Sequence, residues 1–393
     1  MNEAIESCPH AGSCGGCGLR PMNYEQQLAA KENEMKKLFL PVLGEDFFAD
    51  GRYEGILPSP KQEGYRNKME YTFGNAEKNG PLMVGMHRKG RFFDVIEVPQ
   101  CRLVHPDLNV ITAAVQAYFR EKEVPFFHKM NHAGILRHLV LRRSESNGEL
   151  LINLVTRFGY EPGEEFLQLL LELPLEGKIS GILHTENDSL SDAVIPEKVT
   201  LLWGRDWLEE HLLGLRFKIT PFSFFQTNSR GAEVLYTKAR EYVGEIGGST
   251  VFDLYSGTGT IAQLLAARAG HVTGVEIVAE AVQAARENAA ANGLTNCTFH
   301  CGDVLTAVDD IGEVPDYIVV DPPRDGVHPK ALPKLMRFGA ARMVYISCKP
   351  KSLARDIPAL RLGGYEPVRL ALVDMFPFTP NVEAVCLLKK TEI

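Results

Sequence analysis

The period of apolar and polar positions changes twice along the chain. Over residues 24–39 helix breakers are scarce and Leu28, Met35 and Leu38 recur on one side, so a helix is expected there, closed by Pro41 and Gly44. From Gly64 to Phe217 the apolar runs shorten and alternate, as in Leu150-Leu151-Ile152-Asn153-Leu154-Val155, with Gly and Asn turns between them and a helix over 164–171. An α+β region follows from that pattern. Beyond Ser229 strand-length apolar runs alternate with helical stretches: strands over 251–255, 271–277, 298–300, 317–320 and 343–347, helices ending near 243, starting at 260, and over 279–292 and 352–360. Another helix is expected after Pro329, and two last strands, 367–373 and 382–388, close the chain. Such alternation predicts an α/β, mostly parallel, doubly wound sheet with its ligands at the carboxyl ends of the strands. The expected organisation is a cysteine-bearing segment and helix over 1–60, a central α+β domain over 61–220 and the α/β domain over 221–393. There is no internal repeat and no Pro/Ser-rich linker.

Chemistry gathers at the ends of these strands. The run Val344-Tyr345-Ile346-Ser347-Cys348-Lys349-Pro350 delivers one thiol to a strand end just before a proline, where Cys348 is a candidate nucleophile. In Asp253-Leu254-Tyr255-Ser256-Gly257-Thr258-Gly259-Thr260 the glycines let backbone approach a ligand, and Glu276, ending the next strand, is placed to accept from both ribose hydroxyls. The loop lacks the third glycine of the dinucleotide fingerprint and has no Lys-Ser/Thr phosphate cradle. An adenosine cofactor without a phosphate chain fits better, and S-adenosyl-L-methionine is such a molecule. Asp303 follows the next strand, as an adenine ligand or as a helix N-cap. Asp321-Pro322-Pro323-Arg324 brings a carboxylate and a cation to the same edge.

The 393 residues are 45% hydrophobic, enough for a large core. The longest apolar runs are far short of a membrane span and no charged-then-apolar leader opens the sequence, so a cytoplasmic protein with no membrane partner is expected, as a monomer. Of the eight cysteines, Cys8, Cys14 and Cys17 crowd into ten residues and Cys101 stands alone before a long gap. Thiols grouped in this way point to a metal rather than to disulfides. The spacing resembles iron–sulfur ligation more than the paired hairpins of zinc ribbons, with zinc or unliganded thiols as the alternatives. Gly15-Gly16 allows backbone N–H groups to approach the sulfurs. Cys297, Cys301 and Cys386 read as ordinary packing residues. The net charge of −8 argues against a polyanionic partner, but it hides a split: residues 61–143 hold 14 Lys and Arg against 8 Asp and Glu, a local +6. Basic and aromatic groups mix in Tyr65-Arg66-Asn67-Lys68 and His87-Arg88-Lys89-Gly90-Arg91-Phe92-Phe93, as single-stranded RNA recognition needs, although solvated hairpins would show the same charges.

Over nearly its whole length the chain resembles the RNA uracil-5-methyltransferase family, whose members make 5-methyluridine in ribosomal and transfer RNA. The resemblance rests, in order, on Phe224-Phe225-Gln226-Thr227-Asn228, the Asp253–Gly259 loop, Asp321-Pro322-Pro323-Arg324-Asp325-Gly326, Ser347-Cys348-Lys349-Pro350 and Phe376-Pro377-Phe378-Thr379-Pro380-Asn381-Val382-Glu383. It implies a Rossmann-like class I S-adenosylmethionine-dependent methyltransferase domain joined to a central RNA-binding domain. It also implies that Gln226, Tyr255, Thr260, Glu276, Asp303 and Asp321 line the cofactor and uracil pocket, with Cys348 as nucleophile and Glu383 as base. The four cysteines are similar to the [4Fe-4S] ligands of its ribosomal RNA branch, which favours 23S rRNA as partner over tRNA. The oligonucleotide-binding barrel that many relatives carry ahead of the cysteines is expected to be missing, because they begin at position 8. The chain departs from the family at Ser256, Thr260, Lys349 and Asn381, where Cys, Asn, Asn and His are usual.

The chemistry explains the residue types. Uracil C5 is a poor nucleophile until a thiolate has added at C6, and a base must then take the C5 proton before the thiol can leave. The target base has to leave its stack to be reached. A catalytically silent iron–sulfur RNA-binding protein, and a cytosine-5 or small-molecule methyltransferase, are the other classes. The glutamate near the C terminus argues against the cytosine branch.

Overall fold

Asn23 starts helix α1 (Tyr24–Leu43) with a reciprocal cap: its side chain accepts the Gln26 N–H at 2.9 Å while Gln26 Oε1 accepts the Asn23 N–H at 3.0 Å. The helix runs through Pro41 instead of stopping before it, because a proline this close to the end forfeits little beyond its own N–H bond; Gly44, at φ 82°, closes it on Leu40 O. In this computed structural model residues 8–20, 22–312 and 314–391 are described. Among them no helix is long and apolar enough to cross a membrane.

A short α2 (Glu45–Ala49) and strand β1 (Tyr53–Leu57) lead into a sheet of seven strands: β2 (Lys68–Gly74), β3 (Met83–His87), β4 (Val95–Glu97), β5 (Leu136–Arg143), β6 (Glu149–Thr156), β7 (Lys178–Glu186) and β8 (Lys198–Gly204). Their order is β4-β3-β2-β5-β6-β7-β8, antiparallel except between β6 and β7. Helices α3 (Pro106–Glu121) and α4 (Glu164–Leu171) cover it, burying Ile111, Phe119 and Phe166 against Leu139, Leu141 and Ile152. This is the α+β region the short alternating runs imply.

A hairpin of β9 (Leu208–Leu212) and β10 (Leu215–Ile219) and helix α5 (Ser229–Val243) precede the second sheet. Its elements are β11 (Thr250–Leu254), α6 (Thr260–Ala266), β12 (His271–Glu276), α7 (Ala279–Ala291), β13 (Cys297–Cys301), α8 (Val304–Asp310), β14 (Tyr317–Val320), α9 (Leu332–Arg337), β15 (Arg342–Ser347), α10 (Pro350–Leu362), β16 (Tyr365–Val373) and β17 (Glu383–Lys390). The order is β1-β16-β17-β15-β14-β11-β12-β13. Central strands are buried on both faces: Val251, Val319, Val344 and Ile346 join one core, and Phe252, Ile318, Val320, Met343 and Tyr345 the other. Two features were not apparent in the sequence. β1, from the N-terminal stretch, adds itself in parallel to β16, and β17 inserts antiparallel between β15 and β16. The second matters for the site, because it brings the start of β17 to the carboxyl edge of its neighbour β15.

Candidate active site

The Asp253–Thr260 turn is held from three sides. Asp253 Oδ2 accepts the Ala262 N–H at 2.8 Å and ties strand to helix, Ser256 N–H donates to Val275 O at 3.0 Å, and Gly257 N–H donates to Glu276 Oε2 at 3.0 Å. Tyr255 adopts φ 65°, a left-handed conformation uncommon for a side chain of its size and typical of functional turns. Gly259 has to be glycine: at φ 73° a Cβ would stand 2.6 Å from the Phe299 ring and 2.9 Å from Ala285 Cβ. Gly257, at φ 53°, is also left-handed, but a Cβ there would meet only Phe224, at 4.0 Å, which leaves the backbone open toward the cleft. Glu276 Oε1 also accepts the Val278 N–H at 2.9 Å.

A cleft of about 1660 Å³ opens along this edge. It is lined by Gln226, Tyr255, Thr260, Glu276, Asp321, Arg324, Cys348 and Glu383. Five of the six residues expected in the cofactor and uracil pocket are therefore brought together with both expected catalytic residues. Asp303 is the exception: its carboxylate caps α8 by accepting the Leu305 N–H at 2.9 Å, and it does not line the cleft. Its charge still reaches Tyr255, whose phenol is pushed up to about 12, first by burial and then by Asp303.

Strand register sets the position of the two residues expected to be catalytic. Ser347 lies opposite Ala384 as the last pair of β15 and β17, so Cys348 and Glu383, the next residue on each side, both come to the cleft at that end. Gln226 is clamped from the other sheet: Asn67 donates its side-chain N–H to Gln226 O at 3.1 Å and its backbone N–H to Thr227 O at 2.8 Å. Asn228 caps α5 and donates to Met375 O at 2.8 Å, which fixes the same segment to the strand entering the Glu383 loop.

Three carboxyl groups crowd this end. Glu383, 2% exposed, is raised to about 8 by desolvation and then by Asp321, with Arg324 opposing; Asp321 is raised to about 7 by desolvation. Asp253, fully buried, is raised to about 8 by desolvation, against the Ala262 N–H bond that favours its charge. The Cys348 thiol is pushed up to about 11 by desolvation, then by Glu383 and Asp321, and Arg324 again opposes. Arg324 is thus the cation that favours both the thiolate and the carboxylate. Because the Glu383 pKa lies above its ordinary 4.5, the stability its neutral form contributes is full below that value and is lost as the pH rises to about 8. Glu383→Gln is therefore expected to melt above wild type at pH 8.5, with the difference shrinking toward pH 5, in thermal unfolding without ligand.

Two lining residues escaped the sequence reading. Tyr236 lies on α5, 5% exposed, hydrogen-bonded to Gln226 and within the field of Asp321, Glu383 and Asp253. Its only signal was as the one polar-tipped member of the buried stripe Ala232, Leu235, Tyr236, Ala239. Ile277 follows Glu276, is 63% exposed and presents apolar surface to the cleft.

The four N-terminal-side cysteines also converge. Cys8, Cys14, Cys17 and Cys101 line one small cavity with Met69, Met86, Val98 and Leu103, and Gly16 N–H donates to Cys14 Sγ at 3.3 Å. Burial raises the thiols of Cys14, Cys17 and Cys101, Cys17 to about 11. Among the described residues no group of three or more His, Cys, Asp or Glu is gathered tightly enough to hold a metal ion.

A methyltransferase-domain family matches residues 247–358. A Clostridium tetani protein described as an uncharacterized RNA methyltransferase is 47% identical over 388 residues, 98% of this chain and 84% of that protein. One from Caldanaerobacter subterraneus, described in the same words, is 46% identical over 390 residues, 99% of this chain and 86% of that protein. Among solved structures, the Pyrococcus abyssi tRNA (uracil-54, C5)-methyltransferase in complex with S-adenosyl-L-homocysteine matches with TM-score 0.78 and 27% identity, covering 95% of this chain and 85% of that one.

Proposed function

The chain belongs to the RNA methyltransferase family, with the Rossmann-like fold of S-adenosylmethionine-dependent enzymes, and from that premise we propose that it methylates C5 of uracil in RNA. The observation that carries the proposal is the placement of Cys348 and Glu383 beside the last β15–β17 pair, with Gln226, Asp321 and Arg324 in the same cleft. A methyltransferase acting on a nitrogen or oxygen nucleophile has no use for a thiol and a neighbouring buried carboxyl; C5 of uracil requires both.

The cleft fits the cofactor. Gly257 exposes backbone, Glu276 keeps lone pairs free for ribose hydroxyls, Ile277 offers an apolar face for adenine, and Ser256 Oγ is buried with no partner among the described residues. Tyr255 and Thr260 complete that side. When bound, S-adenosylmethionine supplies an electrophilic methyl group on sulfur. Cys348 Sγ bonds to C6 of the flipped uracil, and the C5–C6 π pair shifts to C5 and O4, where Gln226 and Tyr236 are placed to hold the base edge by hydrogen bonds. Arg324 lowers the cost of the thiolate and of the negative charge that passes to the ring. Glu383, ionised, takes the C5 proton after methylation; the electron pair restores C5=C6 and expels Cys348. Asp321 raises the basicity of Glu383, and its own carboxyl faces the base.

The balance supplies a test. RNA from cells lacking the gene, labelled with [5-³H]uridine, should release tritium to water in proportion to methyl groups incorporated. Methyl transfer without tritium release would assign the reaction to another atom.

We place the target in 23S rRNA, the reading the four thiols support, with a tRNA as the alternative suggested by the Pyrococcus abyssi structure. Mass mapping of both RNA pools from cells with and without the gene decides between them. We also propose that Cys8, Cys14, Cys17 and Cys101 hold a [4Fe-4S] cluster. The support is one cavity lined by all four thiols, with a backbone N–H already on one sulfur, although the thiols are not gathered tightly enough for a single metal ion. No electron is needed at C5, so the role proposed for the cluster is structural or the positioning of RNA. Protein purified without oxygen should be brown with about four irons per chain, and Cys17→Ser should lose both colour and iron. A colourless protein with stoichiometric zinc would overturn this.

A further inference from the structure

Two phenylalanines side by side on one loop, Phe92 and Phe93, are 61% and 57% exposed, although neither contributes to the cores of the two sheets. The loop joins β3 to β4 and is closed, not loose: Arg88 N–H donates to Asp94 O at 2.8 Å and Arg91 N–H to Arg88 O at 3.0 Å. The rings are braced. Phe92 lies parallel to the His87 imidazole at 5.5 Å and 4°, Lys129 Nζ sits 4.5 Å from its centre, and Phe93 meets it edge-on at 5.3 Å and 85°. Both rings keep more than half of their surface open, but Phe92 is already flanked by His87 and Lys129, whereas Phe93 is braced by Phe92.

Charge around the rings has one sign in excess. Arg88 and Arg91 share Asp94, Lys129 meets Asp192 at 2.6 Å, and Lys89 is exposed, so four cations stand against two carboxylates. The loop also adjoins the cleft. Gly15 N–H donates to His87 O at 3.0 Å and Lys89 N–H to Ser13 O at 2.8 Å, while Gly16, the next residue, and Arg66 line the cleft. A strand leaving the cleft past Gly16 meets this loop. Adjacent flat rings with surplus cations, contiguous with the place where one base is processed, match the chemistry of an unpaired nucleotide: a π face to stack on and charge for its phosphate.

We propose that the β3–β4 loop is a stacking station, centred on Phe93, for an unpaired base of the RNA substrate other than the base that is methylated. The station rests on the reading of RNA as substrate and adds to it a second point of recognition. It helps select the target by requiring an unstacked base at a set reach from the uracil, which a regular duplex does not offer.

The test compares a short fluorescent oligouridylate with an abasic ribose-phosphate oligomer of the same length, which carries the charge without the rings. Phe93→Ala should weaken oligouridylate binding about fivefold or more and leave the abasic oligomer unchanged, and Phe93→Trp should restore it. Alanine at Arg88, Lys89 and Arg91 together should weaken both oligomers and flatten the salt dependence. The station is overturned if Phe93→Ala leaves oligouridylate binding intact, or weakens both oligomers alike. Cofactor affinity should be unchanged throughout. The C5 assignment is read separately by tritium release: its failure with base-dependent binding intact would sink the uracil reading and leave the station standing, and the converse holds.

Discussion

Cys348→Ala should leave RNA unmethylated, at least about 10⁴-fold below wild type, and should form no covalent complex with it. The loss is expected to be this large because the thiol is not one of several groups sharing a load. Without a bond at C6 there is no electron density at C5, and the remaining groups can bind both substrates without activating either. Folding should survive. Cys348 is only partly buried, between the end of β15 and the start of α10, and helix and strand are held by other bonds, including Ser352 Oγ to Lys349 O at 2.7 Å and the β15–β17 ladder. Isothermal titration with S-adenosylhomocysteine should therefore match wild type. Full methylation by the alanine variant would remove the covalent mechanism and, with it, the uracil-C5 assignment.

Glu383→Gln should stop the reaction one stage later, and the difference is visible. Cys348 can still add and the methyl group can still be transferred, but the C5 proton has no acceptor and the thiol cannot leave. A denaturation-resistant protein–RNA species should accumulate, carrying the labelled methyl group and forming only when S-adenosylmethionine is supplied. The double variant with Cys348→Ala should not form it. Product release is expected to fall by at least about 10³-fold, at the upper end of what a positioned base contributes. Glutamine matches the shape of a residue that is 2% exposed, so the fold is kept, and the higher melting point expected at alkaline pH separates this variant from one that is merely damaged. Turnover at the wild-type rate would move the base to another group, and Asp321, with its own raised pKa of about 7, is the nearest candidate.

What a single chain of letters determined here is local. The run ending at Ser347-Cys348, the glycines of the Asp253–Gly259 loop and the acid at Glu276 are each set by a strand's own apolar pattern and by the turn that follows. Helix α5 begins at Ser229 and ends at Val243, as its periodicity and flanking Asn228 and Gly244 require. Pro41 misled at the end of α1 because a proline's effect depends on how many helical bonds lie beyond it, which composition does not reveal. Asp303 had two local readings of similar weight; the three-dimensional fold has it capping α8, and it is not among the residues lining the cleft.

Tertiary structure decided what depends on pairing between distant segments. That Glu383 faces Cys348 follows from β17 entering antiparallel between β15 and β16; a parallel entry would have put it at the opposite edge of the sheet. That the Gln226 segment is seated by Asn67, and that Tyr236 reaches the carboxyl cluster from a helix that reads as plain core, required the two sheets to meet. The raised pKa values of Glu383, Asp321 and Cys348 belong to the assembled cleft alone, because desolvation and the field of neighbouring charges arise only once residues far apart in sequence have excluded water together. Residue types and their spacing therefore pointed to the chemistry proposed for the cleft, and the fold supplied the juxtaposition and the low-polarity surroundings that this proposal needs.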